Sequence, residues 1–291
     1  MASPQGVRRL DVYLVEEGCF PSRERARAAI LAGAVSVDGR RDLKPGSPVG
    51  PGQRVQVLSD PCPYVSRGGL KLEWVLDRTG VDPRGRAALD AGASTGGFTD
   101  CLLRRGARLV YAVDVGYGQL AWELRRDPRV VVMERTNVRY ITRSLLGGEP
   151  PDLATLDLAF ISLGLVLPAV AGVVGPDGEV LALVKPQFEV GRGRVGRRGV
   201  VRDPELHREA LLAVADSGRS AGLGVAGVTP SPLKGPEGNL EFWLWLVGPG
   251  RLSRTGPALS GERLEREVAR AVQQAHLFTW GVGGREGGGS Q

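Results

Sequence analysis

Cysteine and histidine are scarce in this chain. Its 291 residues include three cysteines, Cys19, Cys62 and Cys101, and two histidines, His207 and His276. Three widely spaced cysteines give neither a disulfide framework nor a metal-ligand spacing, so a reducing compartment and no metal are expected. The N-terminal MASPQGVRRLD has no apolar segment, which argues against a secretory signal. One stretch, Leu156 to Gly175, is apolar enough to need a membrane check. It carries Asp157 in its first turn and Pro168 in its middle, both costly in an isolated spanning helix. A buried parallel strand followed by a core helix has the same hydropathy and is preferred, so no membrane association is expected.

With 42% hydrophobic residues, the chain can build one sizeable core, or one core and a small module. Its formal charge of +6 suits a polyanionic partner, although composition alone is a modest pointer to nucleic acid.

The first sixty residues read as helix, helix and hairpin. Arg8 to Glu17 has Leu10, Leu14 and Val15 at helical spacing, and Ser22 caps a second helix running to Ile30 and Leu31. Gly33 ends it. Val35 to Val37 with Asp38-Gly39 reads as a strand and tight turn, and Arg54 to Leu58 as a second strand. Asp60 to Pro63 begins a Pro-rich linker. Beyond it strands and helices alternate. The strands expected are Ala87 to Asp90, Leu109 to Val113, Val130 to Met133, Leu153 to Ala159, Val180 to Val184, Val225 to Thr229 and Leu240 to Val247. Helices are expected over Thr99 to Arg105, Gln119 to Arg125, Leu165 to Val173 and Pro204 to Ser217. This alternation implies an α/β, mostly parallel, doubly wound sheet of seven strands. The domains expected are therefore residues 1–60, a linker at 61–66, residues 67–250, and a tail at 251–291. Gly261 to His276 could form one charged helix in that tail, with Gly281 to Gln291 disordered.

Asp90-Ala91-Gly92-Ala93-Ser94-Thr95-Gly96-Gly97-Phe98 lies between an expected strand and helix. Glycines there let the backbone turn sharply and approach a ligand. The spacing is not that of the dinucleotide fingerprint. The next strand ends in Asp114, placed to bind ribose hydroxyls. A methyl donor with an amino-acid end fits better than a pyrophosphate. Asp90 would attract its ammonium, and the loop amides of Gly92, Ser94, Thr95, Gly96, Gly97 and Phe98 would suit its carboxylate. An unliganded strand–helix turn and a dinucleotide site remain the alternatives.

Four more segments fall near expected strand ends or at the start of this domain: Ser66 to Leu72, Leu156 to Ser162, Leu183 to Glu189, and Gly238 to Phe242. Together with Asp90 to Phe98 they resemble the TlyA family, named as haemolysins but acting as ribosomal RNA 2'-O-methyltransferases. The resemblance runs from about Arg9 to Val247. It implies a Rossmann-like class I methyltransferase sheet of the FtsJ type, S-adenosylmethionine as cofactor and cytidine as the target. It also implies a Lys-Asp-Lys-Glu tetrad of Lys71, Asp157, Lys185 and Glu241. The chemistry accords with this. A ribose 2'-hydroxyl is a poor acid and needs a base or strong polariser beside it. A lysine can act so where burial and a second cation favour the neutral amine, and Lys71 would supply that cation to Lys185. Asp157 and Glu241 would orient the lysines. Read alone, Lys71 could be a solvated lysine, Asp157 a loop cap and Glu241 an edge charge. Asp114 is read as the ribose partner, with Tyr117, Gln119 and Asn137 near ribose and adenine, or else shaping loops.

The N-terminal unit resembles the S-four-like RNA-binding module at Arg9-Leu10-Asp11, Ser22 to Ala26 and Gly33 to Gly39, giving a small α+β RNA-binding domain. Arg9, Arg23, Arg25 and Arg27 would meet phosphates there, and Arg67 follows the linker. A solvated charged helix is the plain alternative, since Glu24 interrupts the arginines. Arg192, Arg194, Arg197, Arg198 and Arg202 form a Gly-rich basic loop that could clamp RNA around an extruded nucleotide.

The reading adopted is therefore a cytoplasmic enzyme acting on ribosomal RNA or ribosomal subunits, its oligomeric state open with a monomer among the options. Two other readings are a non-catalytic RNA-binding ribosome assembly factor and a membrane-active haemolysin. The first would leave the cofactor loop and tetrad without purpose, and the second needs an amphipathic or spanning segment that the sequence does not offer.

Overall fold

The computed structural model describes residues 6–20, 22–31, 33–41, 43–58 and 62–277. The expected boundary at residue 60, the first linker residue and Gly281 to Gln291 lie outside them. The chain divides into two compact units, one described up to Arg67 and the other from Gly68.

The first unit holds β1 (Arg8–Arg9), α1 (Leu10–Glu16), α2 (Arg23–Leu31), β2 (Val35–Val37), β3 (Pro48–Val49) and β4 (Val55–Val57). Leu10, Leu14, Phe20, Ala29, Ile30 and Val49 form its core. Ser22 Oγ accepts from Arg25 N at 3.3 Å, capping α2 as its position predicts. Asp38 and Gly39 both have positive φ, +52° and +80°, and close the turn beside the Val37–Arg40 bridge. β2 then pairs antiparallel with β4. The first helix starts two residues later than the apolar spacing predicts. Arg8 and Arg9 are extended and pair with Val49 and Pro48, a two-residue ladder with no periodicity to announce it.

The second unit begins with α3 (Gly68–Thr79). It continues through β5 (Ala87–Ala91), α4 (Gly97–Arg104), β6 (Leu109–Val113), α5 (Trp122–Arg125), β7 (Val130–Met133) and α6 (Arg143–Leu146). Then come β8 (Leu153–Leu156), α7 (Leu167–Val174), β9 (Glu179–Val184), α8 (Pro186–Glu189), α9 (Pro204–Ser220), β10 (Gly224–Pro230) and β11 (Phe242–Val247). The sheet order is β10-β11-β9-β8-β5-β6-β7. β9, β8, β5, β6 and β7 pair in parallel, and β11 runs antiparallel to both neighbours. Helical crossovers impose the parallel pairs, whereas a loop without helix joins β10 to β11 and lets the chain reverse.

β8 and β9 are buried throughout and accordingly almost wholly apolar, apart from Thr155 and Glu179. The apolar stretch from Leu156 resolves into a strand end, a 3-10 turn and α7, with Pro168 in that helix's first turn, where its missing N–H costs nothing. No helix among the described residues is long and apolar enough to cross a membrane. Asp203 caps α9, accepting from Glu205 N at 2.9 Å.

Residues past 250 are more than a tail. They form α10 (Pro249–Thr255) and α11 (Gly261–Leu277). Leu264, Val268, Val272 and Ala275 of α11 join the main core. Arg251 of α10 and Arg86 both pair with the fully buried Glu179 at the start of β9, at 2.7 and 2.5 Å.

Candidate active site

The parallel strands β5, β6, β8 and β9 deliver their carboxyl ends to one edge of the sheet, and the loops there carry the polar residues. The β5–α4 loop needs glycine at two positions. Gly92 has φ +87°, and a Cβ on it would lie 2.5 Å from the Asp157 carbonyl oxygen. Gly96 has φ +100°, and a Cβ would lie 2.3 Å from a Leu124 methyl. The loop can therefore press against both the Asp157 backbone and the β6–α5 segment. Ser94 (φ +47°) donates its N–H to Asp114 Oδ2 at 2.8 Å, and Gly116 N donates to Asp114 Oδ1 at 2.7 Å. Ser94 Oγ donates to Gln119 Oε1 at 3.3 Å, and the Thr95 carbonyl accepts from Ala121 N. Ser94, Thr95, Tyr117, Gln119 and Asn137 are exposed on these loops. The Arg135 guanidinium lies over the Tyr117 ring, and Asn137 caps the following 3-10 turn. Gly97, the first residue of α4, is buried.

Two of the expected cofactor residues point inward instead. Phe98 is buried and stacks on Trp243 with centroids 5.6 Å apart, so it packs the core. Asp90 is fully buried, accepting from Thr99 Oγ1 at 2.6 Å and, weakly, from Thr155 Oγ1 at 3.5 Å. Burial, added to by the Asp157 charge and opposed by the Thr99 hydrogen bond, pushes its carboxyl up to about 7. Asp90 ties α4 to β5 and β8 behind the loop.

The four charged residues expected to act together do converge. Asp157 directly follows β8, with its N–H on the Ala91 carbonyl. Lys185 directly follows β9, where Pro186 opens α8. Phe242 pairs with Val184, so the β9–β11 register carries Glu241 to the neighbourhood of Lys185. Lys71 reaches in from α3. Two ion pairs result, Lys71 Nζ to Glu241 Oε2 at 2.6 Å and Lys185 Nζ to Asp157 Oδ1 at 2.6 Å. The second is a charge contact with poor hydrogen-bond alignment, since Asp157 Oδ1 has no well-directed donor. Glu241 is 2% exposed, and burial pushes its carboxyl up against the opposing pull of Lys71 and Lys185. Gly235 makes room for it, as a Cβ there would lie 2.6 Å from Glu241 Oε1.

Lys185 and Glu241 also line a cleft of about 700 Å³ whose wall includes Phe160, Gln187, Phe188 and Asn239. Phe160 is 92% exposed at φ +65°, with its ring 5.3 Å from that of Phe188. An exposed aromatic in a left-handed backbone is an unusual combination. Sequence reasoning gave it no role, although Phe160 lies within the Leu156 to Ser162 segment.

Other members of the surrounding framework were equally silent in the sequence. Glu189 accepts from Ser162 Oγ at 2.6 Å and Leu163 N at 2.9 Å, and burial raises its carboxyl. Asn239 accepts from Val201 N and donates to the Gly199 carbonyl, both at 2.9 Å. The buried His207 ring lies 3.0 Å from His276 and 3.2 Å from the Val201 carbonyl, with its acidity shifted to about 4, chiefly by burial. Asn239 and His207 together pin the root of the basic loop. Among the described residues no His, Cys, Asp and Glu side chains cluster as a metal site would require.

The arginines have mixed surroundings. Arg9 and Arg23 both hold the fully buried Asp11, whose carboxyl falls to about 2 under the Arg9 hydrogen bond and then that of Arg23. Arg27 and Arg198 are exposed, while Arg25 and Arg67 are half-buried. Arg194 pairs with Glu209 of α9. The side chains of Arg192 and Arg197 lie outside the described part.

Comparison with known proteins matches residues 64–247 to the FtsJ-like methyltransferase family and residues 8–55 to the S4 domain. The 16S/23S rRNA (cytidine-2'-O)-methyltransferase TlyA of Mycobacterium tuberculosis is 49% identical over 91% of this chain and 97% of its own length. YqxC of Bacillus subtilis is 46% identical over 92% and 94%. Among solved structures, a hemolysin-like protein of Streptococcus thermophilus superimposes with a TM-score of 0.72 at 40% identity, covering 94% of this chain and 97% of its own.

Proposed function

Since this chain belongs to the TlyA family of FtsJ-like methyltransferases and carries an S4 domain, we propose that it 2'-O-methylates cytidine in 16S and 23S ribosomal RNA, with S-adenosylmethionine as donor. The observation that carries this is the meeting of two ion pairs, Lys71–Glu241 and Lys185–Asp157, beside the glycine loop, with Lys185 and Glu241 lining the Phe160 cleft.

The residues around the β5–α4 loop suit that donor. Gly92, Ser94, Thr95, Gly96 and Gly97 would surround its amino-acid end. Asp114 would take its ribose hydroxyls, and Tyr117, Gln119 and Asn137 would flank ribose and adenine. Bound there, S-adenosylmethionine supplies an electrophilic methyl group. The protein's share is to bring a ribose oxygen to it. Lys185 Nζ holds the 2'-hydroxyl oxygen and stabilises the negative charge that grows there as its proton leaves to the four-residue network. Asp157 fixes the Lys185 amine, and the Lys71–Glu241 pair places a second, enclosed charge pair behind it. Phe160 offers a face for the extruded base.

Residues 1–60 serve as the RNA-binding domain, 61–66 as linker and 67–250 as catalytic domain, extended by α10 and α11. Arg9, Arg23, Arg25, Arg27 and Arg67, with Arg192, Arg194, Arg197 and Arg198 of the basic loop, grip phosphates. Ribosomal subunits in the cytoplasm are the substrate. The protein incubated with labelled S-adenosylmethionine and unmethylated bacterial subunits should yield label in 2'-O-methylcytidine. Label confined to bases, or none in either subunit, would refute this reading.

A further inference from the structure

Asp157 and Lys185 both stand just beyond the ladder that joins their strands. The β8–β9 register ends at Leu156 and Ala182, so that ladder does not hold the two segments that follow. The ion pair between them fixes little by itself, since Asp157 Oδ1 has no well-directed donor and the 2.6 Å contact is one of charge. A transfer that depends on one amine needs that amine placed to well under an ångström. One side chain spans the gap. Glu189 ends α8, the single turn that starts at Lys185, where Phe188 N donates to the Lys185 carbonyl at 2.9 Å and Pro186 takes the first position. Glu189 Oε2 accepts from Ser162 Oγ at 2.6 Å, and Oε1 accepts from Leu163 N at 2.9 Å, where the segment after Asp157 enters its 3-10 turn. Ser162 Oγ in turn accepts from Gly164 N at 3.2 Å, so hydroxyl and carboxylate close that turn together. The Phe160 and Phe188 rings, 5.3 Å apart, meet alongside the same link. Glu189 is half-buried; burial pushes its carboxyl up, and the hydrogen bonds from Leu163 and Ser162 oppose the rise.

We propose that Glu189 is a positioning residue for methyl transfer: its carboxylate straps the segment that follows Asp157 to the helix that follows Lys185, and so sets where the Lys185 amine stands. This rests on the methyltransferase reading above and adds a residue that acts through Lys185, touching neither donor nor ribose. The two strands bring Asp157 and Lys185 to one edge of the sheet, and the strap holds them in register past the point where the ladder stops. A glutamate that merely stabilised these loops would lower Tm when removed and would slow transfer whether or not the lysine were present. A glutamate that acts through the lysine loses its effect on rate once the lysine is gone.

The experiment is single-turnover methyl transfer to ribosomal subunits, run well below the melting temperature of every variant. Glu189→Met keeps the side chain's length and removes both acceptors. Its transfer rate should fall about ten- to a hundred-fold, the cost of displacing a reacting group by about 1 Å, while S-adenosylmethionine affinity stays within a few-fold of wild type. Glu189→Gln should restore most of the rate, because Oε1 can accept from Leu163 N while Nε2 donates to Ser162 Oγ. In a Lys185→Ala background, Glu189→Met should lower Tm as before and leave the residual transfer rate unchanged. If Glu189→Met does not fold, Ser162→Ala breaks one of the two links and should show the same pattern with a smaller loss. Undiminished transfer by whichever of these variants folds, or an equal loss with and without Lys185, overturns the assignment and leaves the methyltransferase reading intact. No transfer by wild type to any RNA overturns both.

Discussion

Replacing Lys71 by methionine would remove the amine 2.6 Å from Glu241 and leave a carboxyl that is 2% exposed without its counter-ion. At that separation the bare attraction is about 6 kcal/mol at an effective dielectric constant of 20. Part of it is offset by the cost of desolvating both groups, so breaking such a pair from one side costs about 3–5 kcal/mol. For a unit of this size that lowers Tm by about 6–20 °C. The loss should depend on pH in a definite sense. Burial already raises Glu241, and without Lys71 it rises further. A carboxyl raised in the folded state gives stability that is complete below its unfolded pKa and is lost as pH rises through the folded one. Lys71→Met should therefore lose more stability at pH 8 than at pH 5. The double variant Lys71→Met/Glu241→Gln should regain most of the stability while methyl transfer stays lost. Urea denaturation at the two pH values, with a transfer assay on the same preparations, reads all three effects. An equal loss at both pH values, or no recovery in the double variant, would refute the idea that an enclosed charge pair dominates this corner.

Asp90→Asn should flatten the pH dependence of stability. Its carboxyl sits at about 7 when folded against 3.8 as reference, a difference worth at most about 4 kcal/mol, lost by wild type as pH rises from about 4 to 7. Parallel stability profiles for variant and wild type would contradict this. Gly96→Ala combines a φ of +100° with a methyl 2.3 Å from Leu124, so it should cost about 2–4 kcal/mol in urea denaturation and weaken cofactor binding; an unchanged midpoint would show that the loop has slack. Asp114→Ala should weaken S-adenosylmethionine binding about ten- to a hundred-fold in calorimetry, by removing a charged acceptor and releasing the Ser94 and Gly116 amides. Undiminished affinity would mean that Asp114 only shapes the loop.

Where the sequence carries a strong local signal, the fold could be read from it. Leu109–Val113 and Val130–Met133 form strands over the residues expected, because short apolar runs bounded by polar turns leave the chain little choice. Other features depend on partners distant in sequence. Arg8 and Arg9 become a strand only because Pro48 and Val49 lie alongside. α11 reads as charged until its spacing of Leu264, Val268, Ala271 and Ala275 is laid against the sheet. The inward turn of Phe98 and Asp90 is of the same kind. Motif position placed them on the ligand loop, but Trp243 and Thr99, which decide where they point, become relevant only after folding. The four tetrad residues are separated by up to 170 positions and meet because β8 and β9 end, and the antiparallel β11 begins, at one edge of the sheet. Phe160 had no such signal. The exposure of a ring is a property of its surroundings, and surroundings are not written in a local pattern.

The central claim is that Lys185 activates the ribose hydroxyl, and single-turnover methyl transfer by wild type and Lys185→Ala tests it most directly. Cofactor and RNA affinities should be measured on the same preparations. The account predicts that transfer falls about 10²- to 10⁴-fold while both affinities stay within a few-fold of wild type. Transfer by Lys185→Ala within a few-fold of wild type would contradict it.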